Sequence, residues 1–394
     1  MNILFDFVST QGYINGGAEY TLKLFEEVYS RLIEGGADFT VFCLYNSTQQ
    51  FVYEEYSPSF MKLKPHVKVL DVKAQTIKNI VDENNIDVFF IGIGQRFSNL
   101  LFSELKCRVC LVIHDVVFGE MRDSKLKDIY YLYDKKRLFR QYYINPLKDF
   151  ILCKKKSEIN ESEEIMAKNI LSSSNVDVVT VSNFSKNAIN TLYNVPEDRI
   201  KVFWSPQKLS EIKNEIENPE LDAFVKSGRK YLLMLSVNRE IKNLKRVLIA
   251  MERYNKFQET PLYLITTGNN ESYASWHIAF SSLSASDLEN AFKNCYALMY
   301  ASLHEGFGYP PVEVMKYFKP VLCSNVCSLP EVLGDAPVYF SPFYVSDIIF
   351  SIKRLEKMYT YYCEKSRERY SYISEKQKGD LGNLVSYILS EKSN

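Results

Sequence analysis

The stretch YASLHEGFGYPPVEVMKYFKPVLCSN, residues 300–325, predicts a strand, a tight glycine loop and a short helix in succession. Two glycines and two prolines separate Glu305 from Glu313, so the two carboxylates cannot share one regular helix. Because proline is tolerated only in the first turn of a helix, we predict a helix that begins near Pro311 and ends before Lys319. Glu305 is then expected on the loop, and Glu313 is expected in the first helical turn.

Short apolar runs alternate with amphipathic helical patterns on both sides of this stretch. The predicted strands are NILFDFV, DFTVFCL, VKVLDV, DVFFIGI, CRVCLVIHD, VDVVTVS and IKVFW in the first half, and YLLMLSV, PLYLITTG, YALMYAS and PVLCSN in the second. Continuous apolar strands are typical of parallel sheets that helices cover on both faces. Alternating strands and helices therefore predict an α/β fold with two Rossmann-like domains and right-handed crossovers.

The length of 394 residues exceeds what one typical domain core accommodates. We expect an N-terminal Rossmann-like domain over residues 1–205, on the acceptor side, with a helical insertion at about 120–170. A C-terminal Rossmann-like domain over 206–360 is expected to bind the donor. Residues 361–394 are predicted to form C-terminal helices that pack back toward the N-terminal domain.

Composition excludes several classes of function. Apolar residues make up 46% of the chain, charged residues make up 24%, and the formal net charge is +0, so no nucleic-acid partner is indicated. The N-terminus has no secretion signal, and no apolar run reaches the length of a transmembrane helix. The eight cysteines have no disulfide or metal spacing. We therefore expect a cytoplasmic protein with buried free thiols.

The segment 122–156 is basic and rich in aromatic residues, with 11 Lys/Arg against 4 Asp. Such a composition suits a peripheral contact with an anionic membrane, at its inner face, or with a lipid-linked pyrophosphate. It equally suits a solvated helical hairpin whose aromatic side chains pack on the domain. The sequence leaves both interpretations open.

Ligands of parallel α/β sheets bind where loops leave the carboxyl ends of the strands. Gly16 and Gly17 open a helix after the first strand, and His114 follows the fifth, although a glycine pair or a lone histidine is often only structural. Arg239 and Lys242 follow the first strand of the second domain. These two cations suit a diphosphate clamp, and the alternative is a solvated basic helix face.

The loop of the opening stretch completes the candidate site. Backbone amides of Gly306, Phe307 and Gly308 can donate hydrogen bonds to hydroxyl or phosphate oxygens. The carboxylates of Glu305 and Glu313 can each accept from a pair of vicinal hydroxyls. A nucleotide sugar has a diphosphate in the middle and vicinal diols on both sides, so it matches this combination of groups.

The segment HEGFGYPPVEVMKYFKPVLCSNVCSLPEVLGDAPVYFSP resembles the signature of retaining GT-B glycosyltransferases of the glycosyltransferase family 4 group, with its Glu-x7-Glu pair. Other similar segments follow the family's order: NGGAEY, VIHD, VTVSNFSKNAI, NREIKN and SDLENAFKNCYALMYASLHEGFG. The resemblance covers nearly the whole chain. It implies two Rossmann-like domains that face each other across a cleft.

The resemblance also implies a role for each candidate residue. Glu305 would face the hydroxyls of the donor sugar, with amides from Gly306, Phe307 and Gly308, and Glu313 would hold the ribose diol. Arg239 and Lys242 would neutralise the leaving diphosphate. Gly16 and Gly17 would face the phosphate and the acceptor, and His114 would touch the transferred sugar. The implied enzyme needs no metal and no cofactor beyond its nucleotide-sugar substrate.

These expectations define a retaining hexosyltransferase that acts on a saccharide or lipid-linked acceptor. By analogy, its setting is bacterial cell-surface polysaccharide or glycolipid biosynthesis. Two alternatives remain: a non-catalytic nucleotide-sugar-binding component of a polysaccharide assembly complex, and a GT-B nucleotide-sugar epimerase. An NAD-dependent oxidoreductase is disfavoured because no G-x-G-x-x-G follows a predicted strand.

Overall fold

The computed structural model describes residues 1–12, 16–36, 38–120, 158–208 and 215–390. The predicted basic segment 122–156 lies outside the described residues, as does most of the predicted insertion at about 120–170. Both therefore remain predictions. No residue between 121 and 157 contributes to the description that follows.

The chain forms two compact units. The first contains the described residues of Met1–Arg122, Lys154–Leu209 and Glu375–Asn394, and the second contains those of Ser210–Ser374. The chain therefore passes from the first unit to the second between residues 208 and 215, and returns to the first at Glu375. The predicted boundaries followed residues 205 and 360.

The first unit is built on a seven-stranded parallel sheet of order β3-β2-β1-β4-β5-β6-β7. Its strands are β1 (Asn2–Asp6), β2 (Thr40–Tyr45), β3 (Val67–Asp71), β4 (Val88–Ile91), β5 (Arg108–Val112), β6 (Val176–Thr180) and β7 (Ile200–Val202). Every residue of β4 and of β6 is buried. Such complete burial is expected of central strands with helices on both faces.

Helices follow most of these strands. They are α1 (Gly16–Gly35), α2 (Pro58–Met61), α3 (Ile77–Glu83), α4 (Val117–Glu120), α5 (Glu158–Leu171) and α6 (Asn183–Tyr193). The apolar stripe of α1 packs on the sheet, where the ring of Phe25 meets Phe5 at 5.5 Å and Phe7 at 5.1 Å, both edge-on. The Ser182 side chain caps α6 by accepting from the Ser185 amide at 3.1 Å.

The second unit contains a six-stranded parallel sheet of order β10-β9-β8-β11-β12-β13. Its strands are β8 (Tyr231–Met234), β9 (Tyr263–Thr267), β10 (His277–Phe280), β11 (Ala297–Tyr300), β12 (Val321–Ser324) and β13 (Val338–Phe340). The two edge strands, β10 and β13, were not predicted. They have four and three residues, and their pairing with β9 and β12 defines them as strands.

The helices of the second unit are α7 (Pro219–Lys226), α8 (Leu244–Asn255), α9 (Ala285–Asn294), α10 (Tyr309–Met315), α11 (Leu329–Leu333) and α12 (Val345–Lys357). The last helix, α13 (Tyr359–Leu389), has 31 residues and passes from the second unit into the first at Glu375. Its last part packs within the first unit, where Gln377 Nε2 donates to Ser205 O at 2.6 Å.

The predicted α/β class with two Rossmann-like parallel domains is confirmed. In each sheet the strand order reverses beside the first strand of that sheet, between β1 and β4 in the first unit and between β8 and β11 in the second. Such a switch point leaves a crevice at the carboxyl ends of the two strands. The loops after these four strands are therefore where ligands are expected.

Candidate active site

The switch point of the second sheet brings two predicted loops together. A short 3-10 helix, Glu240–Lys242, follows β8, and the glycine loop follows β11. The Leu303 amide donates to Ile241 O at 2.9 Å, which joins the two loops through their backbones. The arrangement follows directly from the strand order, because β8 and β11 are hydrogen-bonded neighbours.

Lys242 and Glu305 form an ion pair at this point. The distance from Lys242 Nζ to Glu305 Oε1 is 2.6 Å, and only 9% and 16% of the two side chains are exposed. The ammonium also lies 3.4 Å from the Tyr300 hydroxyl and 4.9 Å from the centroid of the Tyr300 ring. A charge-assisted hydrogen bond and a cation–π contact thus hold the ammonium in one position.

The electrostatics of the pair favour its charged form. Burial opposes ionisation of Glu305, yet the charge and hydrogen bond of Lys242, with the Ser302 and Tyr300 hydroxyls, hold the pKa of Glu305 below its usual value. Burial and the neighbouring Glu305 charge raise the pKa of Tyr300 well above its usual value. At neutral pH Glu305 is therefore a carboxylate and Tyr300 is a neutral phenol.

The glycine loop has a backbone conformation at Gly308 that residues with a side chain rarely adopt. Gly308 has φ +92°, and a Cβ there would lie 2.7 Å from Leu329 Cδ2. The following helix, α10, begins at Tyr309 rather than near Pro311, because both prolines fit its first turn. Glu313 is therefore the fifth helical residue, and its predicted place in the first turn is wrong. It is half-buried.

Two serine hydroxyls hold the backbone of the loop in place. The Ser328 hydroxyl donates to Glu305 O at 2.9 Å, and the Ser324 hydroxyl donates to Ser302 O at 2.6 Å. The Phe307 ring is buried and meets the Tyr309 ring at a centroid distance of 5.5 Å. Because the Phe307 side chain is buried, only the backbone of Phe307 is available at the surface of the loop.

The structure does not hold Arg239 beside this pair. Arg239 is exposed, and its side chain forms no hydrogen bond or ion pair with any other residue that the structure describes. The buried arginine of this segment is Arg246, which donates to Asn243 Oδ1 at 2.9 Å. Arg246 was not predicted, and neither was Tyr300, whose only sequence signal is a phenol at the end of an apolar strand.

The first unit contains the other predicted site residues. Gly16 and Gly17 open α1 after β1, as predicted, and the Thr21 hydroxyl donates to Gly17 O at 2.8 Å. Gly92 follows β4 on the other side of the switch point, and a Cβ there would lie 1.8 Å from Thr21 Oγ1. Only glycine permits this close approach of β4 to α1.

His114 lies directly after β5 and is half-buried. Its Nε2 is 2.9 Å from Gly92 O, and the Tyr20 ring meets the imidazole edge-on at 5.0 Å. Because a carbonyl only accepts, Nε2 donates this hydrogen bond and Nδ1 carries the lone pair. Burial lowers the pKa of His114 and so favours the neutral ring. The neutral ring can accept one further hydrogen bond at Nδ1.

Asp6, which was not predicted, is a fully buried carboxylate at the end of β1. The Ser9 amide donates to Oδ1 at 2.9 Å, and the Ser9 hydroxyl donates to Oδ2. Burial raises the pKa of Asp6 to about 6, against the opposing effects of the Ser9 hydrogen bonds and the Arg96 charge. Its signal was a single acid inside the apolar run NILFDFV.

Within the described ranges, no three His, Cys, Asp or Glu side chains are grouped so that they could hold a metal ion. None of the described helices combines the length and the apolar character needed to cross a bilayer. Seven described cysteines are free, and five of them are buried. Metal independence and membrane contact stay predictions.

Residues 219–377 match the family described as glycosyl transferases group 1. The matched segment contains Lys242, Glu305, the glycine loop and Glu313. It corresponds to most of the second unit.

Curated relatives match parts of the chain. O-antigen chain mannosyltransferase B of Escherichia coli is 30% identical over 184 residues, which are 42% of this chain and 47% of that protein. Serotype-specific mannosyltransferase WbdA of Escherichia coli is 27% identical over 278 residues, which are 66% of this chain and 31% of that protein. The chain thus spans less than half the length of these two relatives.

Solved structures resemble the chain over its full length. Anabaena Alr3699/HepE, solved in complex with UDP and glucose, superposes with a TM-score of 0.65 at 12% identity, covering 98% of this chain and 99% of that one. The chain has the GT-B fold. At this identity the likeness shows the fold alone, so the activity has to be argued from the site.

Proposed function

We propose that the protein is a glycosyltransferase that moves a hexose from a nucleotide-diphosphate sugar to a saccharide or lipid-linked acceptor. The observation that carries the proposal is the Lys242–Glu305 ion pair of 2.6 Å at the switch point of the second sheet. It puts a cation for the leaving diphosphate beside a carboxylate for sugar hydroxyls. The match of residues 219–377 to glycosyl transferases group 1 supports this reading.

The relatives favour a particular substrate class. Two of them are named as mannosyltransferases, one of the O-antigen chain and one serotype-specific. We therefore propose a mannosyl donor and a role in bacterial surface polysaccharide biosynthesis. A glucosyl donor is the second candidate, because HepE was solved with UDP and glucose.

The proposed chemistry breaks the bond between the anomeric carbon and the diphosphate oxygen through an oxocarbenium-like state. Negative charge grows on the leaving diphosphate, and fixed donors that face this charge lower the barrier. Lys242 has three N–H donors. Glu305 engages one and the Tyr300 hydroxyl lies near a second, so at least one is available for a phosphoryl oxygen.

We propose that the configuration is retained and that no metal is required. The leaving phosphate would take the acceptor's proton on the same face of the sugar, and Lys242 and the loop amides would stabilise the diphosphate charge in place of a metal ion. Glu313 would hold the ribose diol, and Arg239 would contribute a second, mobile charge. In the first unit, Gly16 and Gly17 would face phosphate and acceptor.

His114 has a defined task in this scheme. Its Nε2 is engaged by Gly92 O, so only Nδ1 can reach a ligand. A neutral Nδ1 accepts a hydrogen bond from a hydroxyl and cannot supply a proton. We therefore propose that His114 orients a hydroxyl of the transferred sugar.

The test is an incubation of the protein with a panel of nucleotide-diphosphate sugars, including a mannosyl donor and UDP-glucose, with and without oligomannoside and lipid-linked acceptors. We expect release of nucleoside diphosphate and formation of a new glycosidic linkage. By NMR, the new linkage should have the same anomeric configuration as the donor, and the rate of transfer should be unchanged in EDTA. Conversion of the donor without any acceptor would instead indicate an epimerase. Tight donor binding without turnover on any acceptor would indicate a non-catalytic binding component.

A further inference from the structure

A second cleft lies at the amino-terminal edge of the six-stranded sheet, at the opposite ends of the strands from Lys242 and Glu305. Its volume is about 260 Å³. It opens where β8, β11 and β12 begin. Its lining includes three cationic and three phenolic side chains: Arg229, Lys230, Lys319, Tyr231, Tyr296 and Tyr359.

The positive charge of this cleft is not neutralised. No carboxylate is among its lining residues. Arg229 and Lys230 are exposed, Lys319 is half-buried, and none of the three forms an ion pair with any residue in the described ranges. Burial and the charge of Glu356 raise the pKa of Tyr296 to about 12, and the Glu356 carboxylate accepts a hydrogen bond from Tyr254. The cleft thus concentrates three charges of one sign.

Neutral aromatic groups hold two of these cations in position. The Arg229 guanidinium lies 5.4 Å from the Tyr263 ring, and its Nη1 is 3.4 Å from the Tyr263 hydroxyl. Lys230 Nζ lies 5.0 Å from the Tyr296 ring, which stacks on Tyr359 at 4.4 Å. Cation–π contacts orient a cation without removing its charge. The charges therefore remain available to an anion.

Helix dipoles offer another explanation for the cations, because α7 and α9 end at this edge and their last carbonyls attract positive charge. Neutral donors already satisfy carbonyls in both final turns. The Ser227 hydroxyl donates to Phe224 O at 2.6 Å, and the Tyr231 hydroxyl donates to Ala291 O at 2.8 Å. Arg229, Lys230 and Lys319 donate no hydrogen bond to either helix within the described structure.

We propose that this cleft binds a phosphoryl group. Arg229 provides a planar fork for two oxygens, and Lys230 and Lys319 provide point charges. The volume is below the roughly 300 Å³ at which pockets for drug-sized ligands begin, so it suits a compact anion. The phosphoryl group belongs either to a free phosphate ester or to the head group of an anionic phospholipid. The proposal does not depend on the proposed transferase activity.

Calorimetric titration with glycerol 3-phosphate at low salt tests the site. Arg229→Gln/Lys319→Gln should weaken binding at least about tenfold, since each charge-assisted hydrogen bond is worth more than a neutral one. The control is Lys226→Gln, because Lys226 is an exposed cation of the same region that pairs with Asp222 at 2.6 Å and does not line the cleft. It should bind like the wild type.

A second variant separates this cleft from the candidate active site. Lys242→Gln removes the cation at the opposite edge and should leave the affinity for glycerol 3-phosphate unchanged. Loss of binding in Lys242→Gln, or equal binding by the wild type and the double variant, overturns the proposal. Circular dichroism confirms that each variant is folded, and Lys230→Gln provides a further cleft variant.

Vesicle flotation distinguishes the two sources of the phosphoryl group. Binding to phosphatidylglycerol vesicles, not to phosphatidylcholine vesicles, and loss of this binding in the double variant would assign a lipid head group. Binding of glycerol 3-phosphate without binding to vesicles would assign a free ester. If the wild type binds neither probe at millimolar concentration, the cleft is not a phosphoryl site.

Discussion

Lys242 and Glu305 are 63 positions apart in the chain, yet a hydrogen bond of 2.6 Å joins their side chains in a largely buried site. A buried ion pair is costly to break from one side, because the remaining charge is left without compensation. The same pair unites the basic segment after β8 with the glycine loop after β11. Substitution of Lys242 and substitution of Glu305 are therefore expected to have different effects on ligand binding and turnover.

Lys242→Gln is expected to lower kcat by roughly a hundredfold or more, since it removes the fixed donor that is proposed to face the leaving diphosphate. The matched control is Lys316→Gln, which removes a lysine of the same unit that pairs with Glu289 at 2.8 Å. Steady-state release of nucleoside diphosphate measures both. Unchanged turnover in folded Lys242→Gln would rule out the diphosphate clamp.

Glu305→Gln is expected to act in two opposite directions. Turnover should fall, because the carboxylate that is proposed to accept from the sugar hydroxyls is lost. The affinity for free nucleoside diphosphate should rise by about tenfold, because the carboxylate no longer competes for the Lys242 ammonium. Glu289→Gln is the control and should change neither quantity. Calorimetry and initial rates give the two values, and weaker diphosphate binding in Glu305→Gln would contradict the arrangement.

Two glycine-to-alanine substitutions should change stability with opposite signs. Gly308→Ala forces a Cβ to within 2.7 Å of Leu329 Cδ2 at φ +92° and should cost about 1–3 kcal/mol. Gly379→Ala adds a Cβ in open space within α13 and should add about 0.5–1 kcal/mol. Denaturant unfolding measures both. If Gly308→Ala leaves the free energy of unfolding unchanged, the loop relaxes around the added Cβ and the predicted strain is absent.

Arg108 connects α13 to the first sheet. Its Nε lies 2.6 Å from Asp177 Oδ2, with 8% and 11% of the two side chains exposed, and its Nη1 donates to Tyr387 O at 2.9 Å. Arg108→Met removes the guanidinium charge from beside the largely buried Asp177 carboxylate and should cost about 3–5 kcal/mol in unfolding free energy.

The exposed contact of Arg31 with Ser386 is the control for Arg108, because it also joins α13 to the first unit. Arg31→Met should change the unfolding free energy by at most about 0.5 kcal/mol. The double variant Arg108→Met/Asp177→Leu should recover much of the loss, because neither charge is then buried alone. A loss in the double variant as large as in the single one would refute the electrostatic explanation.

Asp6 should make the stability of the first unit depend on pH. Its pKa is raised from 3.8 to about 6 on folding, so the folded state binds the proton more tightly than the unfolded state. The resulting stabilisation is complete below about pH 4 and is lost as pH rises to about 6, by a total of about 3 kcal/mol. Asp6→Asn should abolish this component, and parallel stability curves of the two proteins between pH 4 and 7 would disprove it.

The sequence predicted the two sheets because most of their strands are continuous apolar runs, such as VFFI in β4. The edge strands β10 and β13 were missed because pairing with a neighbour defines them. In β10, His277 hydrogen-bonds Thr266 of β9 at 2.9 Å, and this contact between separate strands leaves no periodic trace in the sequence. The start of α10 at Tyr309 was missed for a different reason, because both prolines fit the first turn of a helix that begins there.

For the candidate site, Lys242 and Glu305 were selected from their loops, but their ion pair was not predicted. Residue type and position after a strand indicate which side chains are available, whereas the strand order decides which of them meet. Arg239 shows the converse: it has the right charge at the right distance along the chain, yet its side chain is exposed. Asp6 was not predicted because a single acid in an apolar strand matches no sequence motif.

The strand order of the second unit also has a consequence for how such proteins diverge. Because the residues of the candidate site lie on loops at one edge, mutation can rewrite those loops while the strands go on folding as before. A lineage can thus acquire new ligand specificities without passing through unstable ancestors. A structure that keeps its shape at 12% identity is the expected outcome of that separation.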